Sequence, residues 1–500
     1  VMYFLSQINL FWYMRSILVN IPKMTAGLKI GRSATAPIVA TGGMSTFNTP
    51  AISPAYLGVG YIIGPRLAAL NFAGGVIAWG LLVPLLVYFL GPGIQASLPA
   101  GHTMDWAGLA GNVWFTIVRP IAVGGMLVGA GFTLFRMRKQ LGAGMARAVS
   151  DLKRSAAAHE ATDRTERDLS AKIVFVGVGI SLLAMIILYR YFIAGAGTSL
   201  ASSTVIAGAI VAGIVMIVLG FFFAAVSGNL VGMIGSSNNP VSGLTLCTLV
   251  VAALLMVALG VSGVGGVAAV LGVAAVVCVS SAVAGEMLQD LKVGHILGGT
   301  PSKMQIGDIF GIVVSSLVLF FPLMILDKAY HFGSAALPAP QAGLMAMLAQ
   351  GIVGGNMAWP LVVVGIFMGF ALIMVQVKSP MLFAVGMYLP LETTFAIFVG
   401  GVIRWITDGI RDRRGYNDAQ KARVENAGVL TASGLIAGEA LCGIVIATIV
   451  GTGHTLPDLG IGKYWLSGLI GLALIIIVMV KTPLANAGSP DEPAPPTAIM

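Results

Sequence analysis

Ten stretches of this chain stay apolar for about 18 residues or more, the length at which a helix crosses a bilayer. They fall at about 67–90, 110–135, 172–193, 203–226, 243–260, 262–285, 307–327, 357–377, 428–450 and 461–481. No single soluble core buries that much. Charged residues make up 9% of the 500, against about 25% in a soluble domain. The chain therefore reads as one all-α polytopic membrane domain over 1–500. Its 66 glycines fit helices that pack through small residues. The net charge of +9 sits in a few loops, which points to topology and anionic lipid and away from nucleic acid. Cys247, Cys278 and Cys442 lie inside apolar runs and read as small hydrophobes, with no disulfide framework and no metal spacing.

Within this apolar background one element occurs twice. SPAYLGVGYIIGPRLAALNFAGGVIAW at 53–79 and SPMLFAVGMYLPLETTFAIFVGGVIRW at 379–405 align without a gap. They share Ser53/Ser379, Pro54/Pro380, Val59/Val385, Gly60/Gly386, Phe72/Phe398, Gly74/Gly400, Gly75/Gly401 and Trp79/Trp405. The second copy would be roughly 40 Å long as one helix, but Pro390 removes a helix hydrogen bond in its middle. A hairpin that dips in and returns satisfies that break. A weaker echo follows each copy, IAVGGMLVG at 121–129 and IAGEALCG at 436–443.

Lys and Arg concentrate at 136–172 and 404–426, whereas the connections near 91–108, 194–201 and 451–460 have none. Placing the basic loops in the cytoplasm gives seven crossings between the two copies, so the second is inverted relative to the first. Broken helices in inverted repeats meet at a central site near the bilayer midplane. Lys23, Lys29 and Arg32 fit this alternation only if the chain crosses again near 33–50. The tail at 484–500 is proline-rich and reads as disordered. The chain begins on Val1 without a charged leader or cleavage site, and we read it as starting downstream of the natural N-terminus.

Four motifs could carry chemistry. SSNNPVSGLT at 236–245 is the most polar run inside apolar sequence. Irregular backbone at membrane depth survives only within protein or beside a water-filled cavity. Asn238, Asn239, Ser242 and Thr245 there suit a peptide backbone, although a helix cap is the structural alternative. Glu392 and Glu439 are the carboxylates deepest in apolar sequence, and such residues pair, face a cavity or carry protons. Arg66 stands where the repeat places Glu392 and is its candidate partner, which leaves Glu439 the stronger proton carrier. GVGYIIG at 58–64 lacks the strand that a nucleotide loop needs, and its VGY becomes VGM in the second copy, against a potassium filter. Glu286, Asp290 and His295 at 286–295 read as interfacial rather than metal-bound. No Ser-His-Asp or metalloprotease spacing occurs in an apolar run, so we expect no enzyme.

Taken together, GVGYIIGPR at 58–66, NNPVSGLT at 238–245, QDLKVGHILGGTP at 289–301, AVGMYLPLETT at 384–394 and the residues at 432–443 resemble the oligopeptide transporter family. That family includes the yellow stripe-like metal-chelate carriers, and the likeness is to its bacterial branch. The resemblance implies secondary active uptake of short peptides across the inner membrane, with a peptide-like metal chelate as the alternative substrate. It implies no cofactor beyond the proton gradient, and it allows a homo-oligomer. In this reading Asn238, Asn239, Ser242 and Thr245 hold the substrate backbone, and Tyr61 and Tyr388 line the cavity. Arg66 attracts a carboxylate terminus and Glu392 an amino terminus or chelated metal, while Glu392 and Glu439 couple protons. A channel, which gives flux without accumulation, is the competing class.

Overall fold

A computed structural model describes residues 16–27, 38–97, 105–136, 138–139, 163–195, 201–234, 241–334, 337, 339–355, 358–454, 457 and 465–493. The apolar runs are helices, and among the described residues ten helices are long and apolar enough to cross a membrane. Nine answer to the runs read from sequence; the run at 357–377 is the 16-residue helix Trp359–Met374, too short to count, and Leu391–Arg413 is the tenth. The chain divides into two compact units, where the sequence reading has one domain. The first comprises Val1–Gly129, Met324–Pro340 and Trp359–Thr497; the second is made chiefly of Ala130–Leu323 and Gln341–Ala358.

The first unit is built on the repeat. The 53–79 copy is α1 (Pro54–Val76), running through a π-helical turn at Ile77–Leu82 into α2 (Val83–Ser97). Next come α3 (Trp106–Val113), a second π turn at Trp114–Val118, and α4 (Arg119–Arg136). The 379–405 copy is a short α12 (Pro380–Tyr388) and a longer α13 (Leu391–Arg413). Before α12 in chain order, α11 (Trp359–Met374) also belongs wholly to this unit. After α13 follow α14 (Asp418–Gly451) and α15 (Trp465–Ala485).

The two copies pack on each other about a pseudo-two-fold axis, and glycine decides how closely. Gly60 lies against the carbonyl of Ile397, and its counterpart Gly386 against that of Asn71, the counterpart of Ile397. Gly400 meets the carbonyl of Leu57, and Gly74 that of Phe383. Gly75 and Gly401 touch Thr394 and Ala68 in the same reciprocal way. Each contact has its mirror in the other copy, the self-complementary pattern that a two-fold produces. Phe72 stacks on its own counterpart Phe398, with centroids 5.0 Å apart and planes at 13°, which places that pair on the axis. Residue numbers rise along one copy as they fall along the other, so the copies run antiparallel. Their opposite orientation is the inversion expected, but the count behind it changes: Trp359–Met374 is shorter than a span, and Leu391–Arg413, read as part of a returning hairpin, is long enough for one.

Both copies break at the same point. Gly64 has φ 80° and ψ 169°, a region open essentially to glycine alone, and Pro65 has no N–H to return to Tyr61. In the second copy Leu389 and Pro390 leave the helix, at ψ 152° and 148°. Carbonyls freed at a break inside lipid need other donors. Arg404 Nη1 donates to the Tyr61 and Ile62 carbonyls at 3.3 and 2.9 Å. Trp114 Nε1 donates to the carbonyl of Met387, the counterpart of Tyr61, at 3.1 Å. Arg404 is itself held by Glu425 at 2.6 Å and Asp408 at 3.7 Å.

The flanking helices keep the symmetry approximately. Gly58 of α1 meets Ala432 and Ile436 of α14, and the equivalent Ala384 of α12 approaches Gly125 of α4. The echo between 121–129 and 436–443 thus marks equivalent helices, though in a register more than a turn away from the sequence alignment. Gly129 stands at the start of α12, where Glu439 stands at the start of α1.

Two parts differ from the sequence expectation. Strands β1 (Ser16–Gly27) and β2 (Ile38–Asn48) form an antiparallel ribbon with a bulge between Ile21 and Met24. The expected further crossing near 33–50 is therefore in part a strand, paired with the residues before it. Gly43 of β2 passes under the Trp106 ring, where a Cβ would be 2.7 Å from a ring carbon. The tail, read as disordered, is tied down over Ala487–Pro493. Arg423 donates to the carbonyls of Ala487, Ser489, Glu492 and Pro493 at 2.5–3.0 Å. Gln420 and Asn417 hold those of Gly488 and Pro490.

In the second unit α5 (Ala171–Gly195), α6 (Ser202–Ile234), α7 (Val241–Ala258) and α8 (Gly263–Leu297) again pack through small residues. Gly272 lies against the fully buried Tyr189, whose hydroxyl meets Met216 Sδ at 3.3 Å. Gly213 receives Ile186, and Gly266 receives Val353, which follows α10 (Pro340–Ile352). Helix α9 (Pro301–Tyr330), which begins in this unit, has no buried residue and turns Phe310, Leu317 and Phe320 outward, a surface suited to acyl chains.

The glycine contacts and the rescued carbonyls predict two stability effects. Gly60→Ala and Gly386→Ala push a methyl group into a backbone carbonyl, and over-packing of this kind costs about 1–3 kcal/mol. Each should lower the thermal midpoint of the detergent-solubilised protein by several degrees. Gly434→Ala, which meets open space, should not. Trp114→Phe leaves the Met387 carbonyl without its donor and should lower the same midpoint by about 1–3 kcal/mol in stability.

Candidate functional site

The break in the second copy opens onto a cavity. Pro390 ends the irregular segment, its carbonyl receives the N–H groups of Thr393 and Thr394, and Glu392 falls in the first turn of α13. Asn48, the last residue of β2, donates to Glu392 Oε2 at 2.7 Å. The Ala51 N–H reaches the Glu392 carbonyl at 3.1 Å. The ribbon and the broken element are thereby fastened together at the carboxylate.

Arg119 lies on the same cavity. It opens α4 after the π turn that carries Trp114 and Phe115, and it is only 4% exposed. Its guanidinium carbon is 4.0 Å from the centroid of the Tyr388 ring, 4.7 Å from Phe115 and 5.1 Å from Trp114. Desolvated cation–π contacts are worth about 2 kcal/mol or more, so three rings hold this cation where a carboxylate would be the usual partner. Among the described residues no carboxylate stands within ion-pair distance of it. Trp79 packs on Trp114, with centroids 5.3 Å apart. The cavity encloses about 380 Å³ and is lined by Asn48, Trp79, Trp114, Phe115, Arg119, Pro390 and Glu392, with Gly111, Gly333 and Ser334 at its edge. That volume lies in the small-molecule range of about 300–1,000 Å³.

Glu439 occupies a different place. From α14 it accepts the Ser53 hydroxyl at 2.7 and 2.9 Å and the Ala55 N–H at 2.7 Å. Ser53 in turn caps α1 by accepting the Tyr56 N–H at 3.2 Å. The carboxylate therefore sits on a helix N-terminus, where unpaired N–H groups and the helix dipole favour negative charge.

The other residues singled out from sequence are dispersed. Tyr388 is 2% exposed and faces Arg119. Tyr61 is buried among Leu57, Ile403, Ala432, Ile475 and Met479, against Gly428, and does not line the cavity. Arg66 is exposed and, among the described residues, makes no ion pair; Glu392 is engaged by Asn48 instead. The repeat does make Arg66 and Glu392 equivalent, but equivalent residues meet only on the axis, as Phe72 and Phe398 do. Thr245 and Ser242 belong to α7 of the second unit, where the Thr245 hydroxyl donates to the Val241 carbonyl of its own helix at 2.8 Å. Asn238 and Asn239 lie outside the described residues.

Sequence reasoning passed over Arg119, although a signal was present. Arg119 is a lone cation inside the apolar run 110–135, and the rule that selected Glu392 and Glu439 applies to it equally. Asn48 and Trp79 carried no comparable signal.

Comparison with known proteins agrees with this architecture. The family model described as "OPT oligopeptide transporter protein" matches residues 5–450. A Haemophilus influenzae protein named "Putative oligopeptide transporter" is 32% identical over 463 residues, covering 86% of this chain and 71% of the relative. With its long apolar helices the chain is a multi-pass integral membrane protein. It belongs to the OPT oligopeptide transporter family.

Proposed function

We propose that this protein is a proton-coupled carrier that takes up oligopeptides across the bacterial cytoplasmic membrane. The observation that carries the reading is one cavity, at the break of an antiparallel repeat, with a buried cation at Arg119 and a carboxylate at Glu392 among its walls. A peptide offers the opposite charges at its two ends, and its backbone suits the aromatic and amide lining. The name carried by the Haemophilus influenzae relative points to the same substrate class. A carrier must also change conformation, and broken helices packed backbone to backbone through glycine provide two bodies that can move as pieces.

Glu439 is the proton carrier in this reading. Its two donors, the Ser53 hydroxyl, which lies within reach of both carboxylate oxygens, and the Ala55 N–H, hold the carboxylate on the end of α1. Protonation would weaken that hold and release the end of the first broken element.

Reconstituted vesicles test this directly. With a pH gradient imposed, acid outside, labelled trialanine should accumulate above its external concentration. At one proton per peptide the ceiling is about tenfold per pH unit. Glu439→Gln should abolish accumulation while leaving exchange of internal for external peptide. Accumulation by Glu439→Gln with the wild-type pH dependence would refute the carrier role. Flux without accumulation in the wild type would favour a channel.

A further inference from the structure

Among the described residues, Arg119 Nε, Trp79 Nε1 and Asn48 Oδ1 are buried polar atoms without a hydrogen-bond partner, and all three belong to residues lining this cavity. Their chemistry is not alike. The N–H groups of Arg and Trp can only donate, whereas an amide oxygen can only accept. The Asn48 amide is oriented by Glu392, because an ionised carboxylate only accepts and so takes the Asn48 Nδ2 hydrogens. Arg119 and Trp79 are 4% and 7% exposed, so water does not readily answer their donors. The rings of Tyr388, Phe115 and Trp114 stabilise the Arg119 cation without consuming its charge. Trp114 spends its own indole N–H on Met387 and contributes no donor to the cavity.

The residues lining the cavity thus include donors, Arg119 and Trp79, and acceptors, Asn48 and Glu392. We propose that the cavity recognises a zwitterion, taking a carboxylate at Arg119 and Trp79 and an ammonium at Glu392 and Asn48. The protein would then select short peptides with both termini free. This rests on the peptide-carrier reading above and goes further, because a carrier reading only the peptide backbone would accept capped peptides. It also replaces Arg66 with Arg119 as the residue that meets the carboxylate. A planar guanidinium pairs with a carboxylate through parallel N–H groups, which an ammonium at the same place cannot reproduce.

Competition in reconstituted vesicles reads this out. Uptake of labelled trialanine is measured against unlabelled trialanine, its C-terminal amide and its N-acetyl form. In the wild type each cap should raise the concentration for half-inhibition at least tenfold. In Arg119→Gln the free peptide and the amide should compete equally, while the N-acetyl form stays the poorer competitor. In Glu392→Gln the acetyl penalty should shrink and the amide penalty persist. Arg119→Lys, which keeps the charge but loses the fork, should fall between. Loss of one penalty with retention of the other is not what a merely misfolded protein gives, and the wild-type series needs no variant at all. Equal competition by free and capped peptides in the wild type would overturn the zwitterion proposal and leave peptide transport standing. Absence of trialanine uptake, with no inhibition by any form, would overturn the peptide reading and this one with it.

Discussion

The structure depends on backbone touching backbone at glycine. In the first unit the two broken elements approach so closely that Gly60, Gly74, Gly386 and Gly400 each face a main-chain carbonyl of the other copy. Hydrophobic burial offers little drive between helices in lipid, so close van der Waals packing takes its place. Because the contacts are reciprocal, one kind of interface is used twice, and the axis is marked by Phe72 on Phe398. The same closeness fixes where the breaks fall. Gly64–Pro65 and Leu389–Pro390 occupy equivalent points, and their freed carbonyls are met by Arg404 and Trp114.

The site follows from how the two breaks differ. At the first, Arg404 spends its charge on carbonyls and on Glu425 and Asp408, and the position equivalent to Glu392 is the exposed Arg66. At the second, the donor is a neutral indole, and the nearby cation, Arg119, rests against aromatic rings. Pseudo-symmetry builds the frame, and departure from it creates the functional surface. The β ribbon has a part in this, since Asn48 at its end reaches Glu392. The tail is secured on the α13–α14 side through Arg423, two residues from Glu425.

Much of this was legible in the sequence, for identifiable reasons. Nine of the ten expected spans follow from composition and length, the run at 357–377 being a shorter helix, and the repeat was visible because Gly, Pro, Phe and Trp recur without a gap. The break of the second copy was marked by Pro390, whose effect is local and does not depend on partners. Glu392 and Glu439 stood out as carboxylates in apolar sequence. What escaped depends on long-range pairing. The strand at Ser16–Gly27 has an apolar stretch with no strict alternation, and only its partner Ile38–Asn48 makes it a strand. Arg119 has two ring partners close by in Trp114 and Phe115, yet its nearest ring, Tyr388, comes from the far repeat. Pairing of Arg66 with Glu392 was a fair inference from equivalence, and it failed because neither residue lies on the axis. The apparent disorder of the tail was a compositional reading that did not include four carbonyls accepting from one arginine.

The central claim is that the substrate sits at the second break, against Arg119 and Glu392. A cryo-electron microscopy structure of the full protein with trialanine bound tests it most directly. The account predicts peptide density in the cavity lined by Arg119, Trp79, Asn48 and Glu392, with 53–79 and 379–405 broken and antiparallel beside it. Peptide density elsewhere, with this cavity unfilled, would contradict it.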